Sequence, residues 1–291
     1  MKEIIQNSIR LHLGNGKRNS VDQAKVLSII IPTYNEESTI VEILNKVKGV
    51  KLIHEIGKEV IIVNDCSLDN TDHIIKQYIL HNQDLHILYF SHDINCGKGA
   101  AIHTGILNAT GDYLLIQDAD LEYDPDDYNL MLHPIVKEFA DVVYGSRFMG
   151  GNPHRILFFW HTIGNRFLTF VSNALTNLNL TDMETGYKLF RTSIIRQISL
   201  KEKRFGFEPE VTAKLAHLKG IRIYEVGVSY YGRTYNEGKK IKWRDAFRAL
   251  YCILKYKFSK NEYASIRHGE QNHSNQFDGV KPNWSIKSMD V

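Results

Sequence analysis

Four short apolar runs, each ending in a polar cluster, occupy the first 120 residues and constrain the fold more than any other feature. Val26–Ile31 (VLSIII) stops at Pro32 and continues as Thr33-Tyr34-Asn35-Glu36-Glu37, where proline ends a strand and the acids favour a helix start. Glu59–Val63 (EVIIV) ends at Asn64-Asp65, followed by turn and N-cap chemistry at Ser67, Asp69, Asn70 and Thr71. Leu85–Phe90 leads into Asn95-Cys96-Gly97-Lys98-Gly99-Ala100-Ala101, and Tyr113–Asp120 reads YLLIQDAD. Runs this short and β-branched are buried strands, and the segments between them have helical length. Strand and helix in alternation predict an α/β domain with a largely parallel sheet, in which ligands lie beyond the carboxyl ends of the strands. Every polar cluster falls at such an end.

Those clusters carry the chemistry. Side chains two apart in a strand share a face, so Asp118 and Asp120 are expected to aim two carboxylates at one point. Paired hard oxygen ligands suit Mg²⁺ or Mn²⁺, ions that hold phosphate oxygens. The same spacing also occurs in solvated turns. Asp65 has two readings, a hydrogen bond from the ring N–H of uracil or guanine, or a cap on the following helix. Asn64, an amide beside it, leaves the choice of base open. Lys98, between two glycines, can approach a diphosphate on a loop that feeds a helix N-terminus, or can be a solvated loop lysine. No GK[ST] follows at the required spacing, so GKG is not a P-loop, and no GxGxxG follows the first strand, which argues against a nicotinamide dehydrogenase.

At 291 residues and 43% hydrophobic content, the chain can bury one substantial domain. A net charge of +3 gives no reason to expect nucleic acid as a partner. Cys66, Cys96 and Cys252 are odd in number and widely separated, which fits neither a disulfide nor a zinc framework and points to a reducing cytoplasm. The N-terminus lacks the apolar core of a signal peptide. No stretch is apolar enough for a transmembrane helix. Ile156–Leu180 reads instead as an amphipathic helix, broken by His161, Asn165, Arg166, Asn173 and Asn177. Arg233–Lys260 holds nine Lys or Arg against two acids. Within it Trp243, Ala246, Phe247, Leu250, Ile253, Leu254 and Phe258 form one helical face, suited to an anionic membrane surface or to packing on the domain. The polar tail from about His268 is expected to be disordered.

PTYNEE, NDCSLDNT, NCGKGAA, GDYLLIQDAD and GSRF, in that order, make Val26–Phe258 resemble the family 2 glycosyltransferases of GT-A fold. Within that family the resemblance is to the polyprenyl-phosphate sugar transferases typified by dolichol-phosphate mannosyltransferase. It implies an N-terminal extension over 1–25, a GT-A catalytic domain over 26–232, a basic loop and amphipathic helix over 233–260, and a tail over 261–291. It further implies a nucleotide-sugar pocket from Pro32, Tyr34, Glu36, Val63, Asp65, Lys98, Ala119, Arg147, Arg233 and Lys239. Asp118, Asp120 and Glu122 would hold Mg²⁺ or Mn²⁺, with Asp118, Asp120 and Arg147 acting on the diphosphate. A salt bridge to a nearby acid is the other reading of Arg147.

Arg166, Asp182, Glu184 and Glu208, with Glu210, fall where the resemblance places the acceptor. An alcohol acceptor needs a general base, whereas a phosphate monoester, with a second pKa near ~6, is already an anion. The implied activity is inverting transfer of a hexose from UDP- or GDP-sugar to a polyprenyl phosphate, by a cytoplasmic enzyme peripheral to the membrane. A soluble family 2 enzyme acting on a sugar or protein hydroxyl, and an inactive nucleotide-sugar-binding scaffold, are the alternatives.

Overall fold

The computed structural model describes residues 25–151, 153–156, 158–234, 243–258 and 286–288. Lys239 and nearly all of the N-terminal extension and tail lie outside the described residues. Among the described residues, eight strands form one sheet: β1 (Val26–Thr33), β2 (Gly57–Asn64), β3 (Ile87–His92), β4 (Tyr113–Ile116), β5 (Val142–Ser146), β6 (Lys188–Arg191), β7 (Ile223–Gly227) and β8 (Ile286–Ser288). Their order is β7-β5-β6-β4-β1-β2-β3-β8. β1 pairs in parallel with both β2 and β4, placing Ile30 beside Ile61 and Ile116. β2 and β3 are also parallel, as are β5 and β7. β6 runs antiparallel to β4 and β5, and β8 antiparallel to β3.

The helices are α1 (Ile40–Gly49), α2 (Thr71–His81), α3 (Lys98–Asn108), α4 (Tyr128–Val136), α5 (Phe159–Thr176), α6 (Thr192–Ile195), α7 (Phe207–Ala216) and α8 (Trp243–Phe258). Period-two alternation divides them between the sheet's faces. Leu27, Ile29, Ile31, Val60, Ile62 and Leu115 pack against Ile43 and Val47 of α1, Ile75 of α2 and Met131 of α4. Ile30, Ile61, Leu114 and Ile116 face Ile102 of α3, Leu168 of α5, Phe207 and Val211 of α7, and Ile253 of α8. Val63 belongs to this second core and is fully buried, so its side chain is structural and not part of a pocket.

The expected α/β class, mostly parallel sheet and C-terminal helix are all present. Several boundaries differ. The third strand runs two residues later than expected, and the amphipathic segment narrows to α5, closed by Asn177 in the left-handed region at φ 58°. The acidic pair is not on a strand: β4 ends at Ile116, and Asp118 and Asp120 sit in the turn beyond it. On α8 the packed stripe is Ala249, Cys252, Ile253 and Tyr256, while Phe247, Tyr251, Leu254 and Phe258 form a second, exposed stripe at i, i+4, i+7 and i+11. Among the described residues, no helix is long and apolar enough to cross a membrane.

Candidate active site

From β1 the chain moves to β2 on one side and, after β3, to β4 on the other, so a crevice opens at the carboxyl ends where strand order reverses. A cavity of about 670 Å³ lies there. Its walls include Pro32, Tyr34, Glu36, Asp65, Lys98, Asp118, Ala119, Asp120, Glu122, Arg147, Glu184, Glu208 and Arg233, thirteen of the residues singled out in the sequence. Asp182, Val63 and Arg166 do not line it.

A turn, not a strand, converges the acidic pair. Gln117, fully buried, donates from Nε2 to the carbonyls of Asp118 (3.0 Å) and Tyr123 (3.2 Å) and accepts from Tyr128 Oη (3.0 Å). Two cations flank the pair. Lys98 Nζ lies 2.8 Å from Asp118 Oδ1 and 3.5 Å from Glu208 Oε1, while Arg233 Nη2 donates to Asp120 Oδ2 at 2.6 Å. Burial opposes the charge on Lys98, but Asp118 and Glu208 outweigh it and raise its pKa. Burial, with Asp118 and Glu122 close by, pushes Asp120 up to about 7 against the pull of Arg233. Glu122 is less free than a metal ligand was expected to be: Oε1 accepts from the Arg233 N–H (2.7 Å) and Oε2 from Tyr230 Oη (2.7 Å).

The 184–186 backbone presses against this centre. A Cβ on Gly186 would come within 2.6 Å of Asp118 Oδ2 and 3.0 Å of Lys98 Nζ, so glycine is what lets the loop approach. Farther in, Lys188 is fully buried, and burial lowers it to about 8 despite Glu208, Asp182 and Glu184 nearby.

Asp65 does cap a helix, but it is α3 rather than α2. Its Oδ1 accepts from the Cys96 N–H (2.9 Å) and lies 2.7 Å from His92 Nδ1, and its Oδ2 accepts from the Gly97 N–H (2.6 Å). His92 Nε2 in turn contacts Thr104 Oγ1 at 2.9 Å. Gly97 takes φ 100°, and a Cβ there would meet Lys203 O at 2.6 Å. The Ala100 N–H donates to the same carbonyl at 2.9 Å. The amides just before α3 and that of Ala100 are therefore engaged by protein, while the helix N-terminus beside Lys98 is where the sequence placed it. Asn64 is withdrawn from the pocket, its amide donating to Tyr89 Oη (2.9 Å) and accepting from the Ser67 N–H (3.0 Å).

Arg147 makes the expected alternative contact, a salt bridge. Nε and Nη2 grip both oxygens of the fully buried Asp182, at 2.6 and 2.7 Å, while the guanidinium lies over the Tyr230 ring. Burial alone would raise the Asp182 carboxyl, but Arg147 outweighs it and holds it below its ordinary value. Asp182 thus orients Arg147 and is not itself presented to a ligand. Arg166 lies on the exposed side of α5, over the Phe148 ring. Glu210 is buried under the 201–202 amides and Lys214 Nζ, a structural anchor. Gln117, Tyr230, Gly186 and His92 shape the site without having been singled out. Only TGYK, a glycine within a polar block, offered a local signal for any of them.

A doubly wound sheet carrying an acidic pair and basic side chains at its switch point defines a nucleotide-sugar-binding α/β protein of GT-A type. Residues 28–199 match the model of glycosyl transferase family 2, and the chain belongs to that family and is a glycosyltransferase. It is similar to the UDP-N-acetylglucosamine–dolichyl-phosphate N-acetylglucosaminyltransferase of Methanococcus voltae, 27% identical over 251 residues, covering 81% of this chain and 98% of the relative. It is 30% identical over 239 residues to the dolichyl-phosphate beta-glucosyltransferase of Dictyostelium discoideum, covering 77% and 71% of the two chains. Among solved structures it resembles the glucosyl-3-phosphoglycerate synthase of Mycobacterium tuberculosis, in complex with Mn²⁺, UDP and phosphoglyceric acid. That likeness has a TM-score of 0.61 at 15% identity, over 82% of this chain and 80% of the other, and shows the fold.

Proposed function

We propose that the protein transfers a hexose unit from a UDP-sugar to the phosphate of a polyprenyl phosphate, at a membrane surface and with a divalent metal. The observation that carries the lipid phosphate is the mixed lining of the cavity. Besides Asp118, Asp120, Lys98 and Arg233, its walls include Trp160, Gly164 and Leu168 of α5, with His161 and Asn165, and Ala246 and Ala249 of α8, with Asp245. The outer faces of those two helices expose Phe159 and Trp160 (66% and 78%) and Phe247 and Phe258 (66% and 76%). A phosphate head with a long apolar tail matches a cavity that joins those charged groups to apolar helix surfaces, and exposed aromatics on α5 and α8 suit a bilayer interface. Names of relatives that act on dolichyl phosphate agree with it.

Uridine is favoured over guanosine by the state of Asp65. Three of its four in-plane lone pairs face Cys96 N–H, His92 Nδ1 and Gly97 N–H, leaving one on Oδ2. Uracil offers one ring N–H. Guanine offers two adjacent donors, which call for a carboxylate with both oxygens open.

Mg²⁺ or Mn²⁺ fits Asp118 and Asp120, because the donors are hard oxygens and their mutual repulsion, seen in the elevated Asp120, is relieved by a cation. When bound, the metal supplies positive charge to the departing diphosphate. Lys98 and Arg233 add charge beside it, and Arg147, fixed by Asp182, adds a third. An oxygen of the acceptor phosphate forms the bond to C1 while the bond from C1 to the UDP oxygen breaks, and the electron pair leaves with UDP. No proton has to be removed from the nucleophile, so the protein's work is positioning and leaving-group stabilisation. An in-line displacement of this kind inverts the anomeric centre.

Incubation with Mn²⁺, a panel of UDP- and GDP-hexoses and a short polyprenyl phosphate tests the proposal by product mass. A polyprenyl phosphohexose formed from a UDP-sugar supports it; a product from GDP-sugars alone, or none from any donor, overturns it.

A further inference from the structure

Of the cavity carboxyls that the scheme above leaves without a task, one has an oxygen that no group engages among the described residues. Glu184 lines the cavity, and its Oε1 is enclosed with no hydrogen-bond partner among the described residues. A buried acceptor left unpaired costs ~1–3 kcal/mol, and a native chain keeps such a group where a ligand completes it. Glu184 was expected at the acceptor, and its neighbours include residues to which the scheme above gives the diphosphate. Gly186, two residues on, abuts Asp118 and Lys98, and Lys98 reaches across to Glu208 Oε1 at 3.5 Å. In a nucleotide sugar the hexose is bonded directly to the distal phosphate. A ring on a diphosphate held at Asp118 and Lys98 would therefore be near Gly186 and Glu208, and within reach of Glu184, two residues from Gly186.

We propose that Glu184 is the specificity-determining residue for the donor sugar, with Oε1 hydrogen-bonded to a ring hydroxyl of the hexose and Glu208 opposite it. This rests on the UDP-sugar reading and deepens it. The electrostatics give the pair complementary roles. Burial, with Glu208 nearby, pushes the Glu184 carboxyl up to about 8, so at neutral pH it holds a proton and can donate. Glu208, beside the Lys98 ammonium, is placed to accept. A sugar hydroxyl both donates and accepts, and satisfies the two carboxyls at once. An apolar wall here would barely distinguish hexoses, whereas a buried polar group left unmatched rejects a sugar lacking the right hydroxyl.

The test compares Glu184→Ala and Glu184→Gln with wild type, measuring Mn²⁺-dependent affinity for UDP alone and for UDP-hexoses by calorimetry, and kcat/KM for each donor. Expected for Glu184→Ala is UDP affinity within about 2-fold of wild type, with kcat/KM for the preferred UDP-hexose down roughly 10–100-fold and preference among hexoses flattened. Glu184→Gln, which keeps a donor at the same place, recovers most of the loss. Unchanged preference among hexoses in Glu184→Ala overturns the proposal, as does a rise confined to the KM of the polyprenyl phosphate, which would return Glu184 to the acceptor. A loss of UDP affinity that Glu184→Gln fails to restore overturns it too, marking a structural role. Wild-type protein that binds no UDP refutes the nucleotide-sugar reading itself, a distinct result.

Discussion

Replacing Gly186 by alanine tests how the acidic pair is held. The added Cβ would lie 2.6 Å from Asp118 Oδ2, and ordinary contact begins at about 3.4 Å, so the carboxylate must retreat by ~0.8 Å. Lys98 Nζ, 3.0 Å from the same Cβ, has to move with it. Gly186 is not in the left-handed region, so alanine fits the backbone and overpacking is the cost, about 1–2 kcal/mol. A shift approaching 1 Å at a reacting centre lowers rate by up to ~10²-fold. The expected result is Mn²⁺ affinity and kcat/KM down roughly 10–100-fold, with a folded protein whose melting temperature falls by only a few degrees. Mn²⁺ is titrated by electron paramagnetic resonance and stability followed by thermal melt. Gly49→Ala, where a Cβ meets nothing within 4 Å, is the control. Wild-type Mn²⁺ affinity and turnover in Gly186→Ala would refute the idea that this close approach sets the position of Asp118.

Asp65→Asn should weaken UDP binding by about 10-fold or more and erase any preference over GDP, since a carboxylate lone pair is lost where the base N–H arrives; calorimetry with both nucleotides checks it. Glu202 ties the loop beside α3 to α8 through Arg248 Nη2 (2.6 Å), Lys255 Nζ (2.9 Å) and Tyr256 Oη (2.8 Å). Burial opposes its charge, yet these partners hold it at about 2. Because that lies below the ordinary 4.5, the stabilisation is present above pH 4.5 and is lost as pH falls toward 2. Glu202→Gln should therefore be less stable than wild type by about 1–2 kcal/mol near pH 7, with the gap closing in acid, as urea midpoints across pH will show. Phe247→Ser combined with Leu254→Ser, on the exposed stripe of α8, should cut sedimentation with anionic vesicles several-fold while leaving UDP affinity unchanged. Undiminished vesicle binding would remove α8 from the membrane-facing surface.

The sheet was legible because its first four strands are apolar runs with turn chemistry behind each. β6 and β7 were not, being four and five residues long with charged members, Lys188 and Arg191 or Glu225, that only tertiary contacts could place. Site membership was readable wherever a side chain stands at a strand end, as with Asp65, Asp118 and Asp120. Partnership was not. Whether Asp65 caps α2 or α3 depends on where the Cys96–Gly97 amides land, and whether Arg147 faces a ligand or Asp182 depends on a residue 35 positions away. The amphipathic character of α8 was visible, but a helix with two apolar stripes does not declare which of them is packed.

The most direct measurement compares polyprenyl phosphate with the corresponding polyprenol as acceptor, with Mn²⁺ and the preferred UDP-hexose, following UDP release and product mass together. The account predicts UDP released in step with a polyprenyl phosphohexose, and no transfer to the polyprenol. Transfer to the polyprenol at a comparable rate would contradict it, because the hydroxyl would then need a general base that the scheme leaves out.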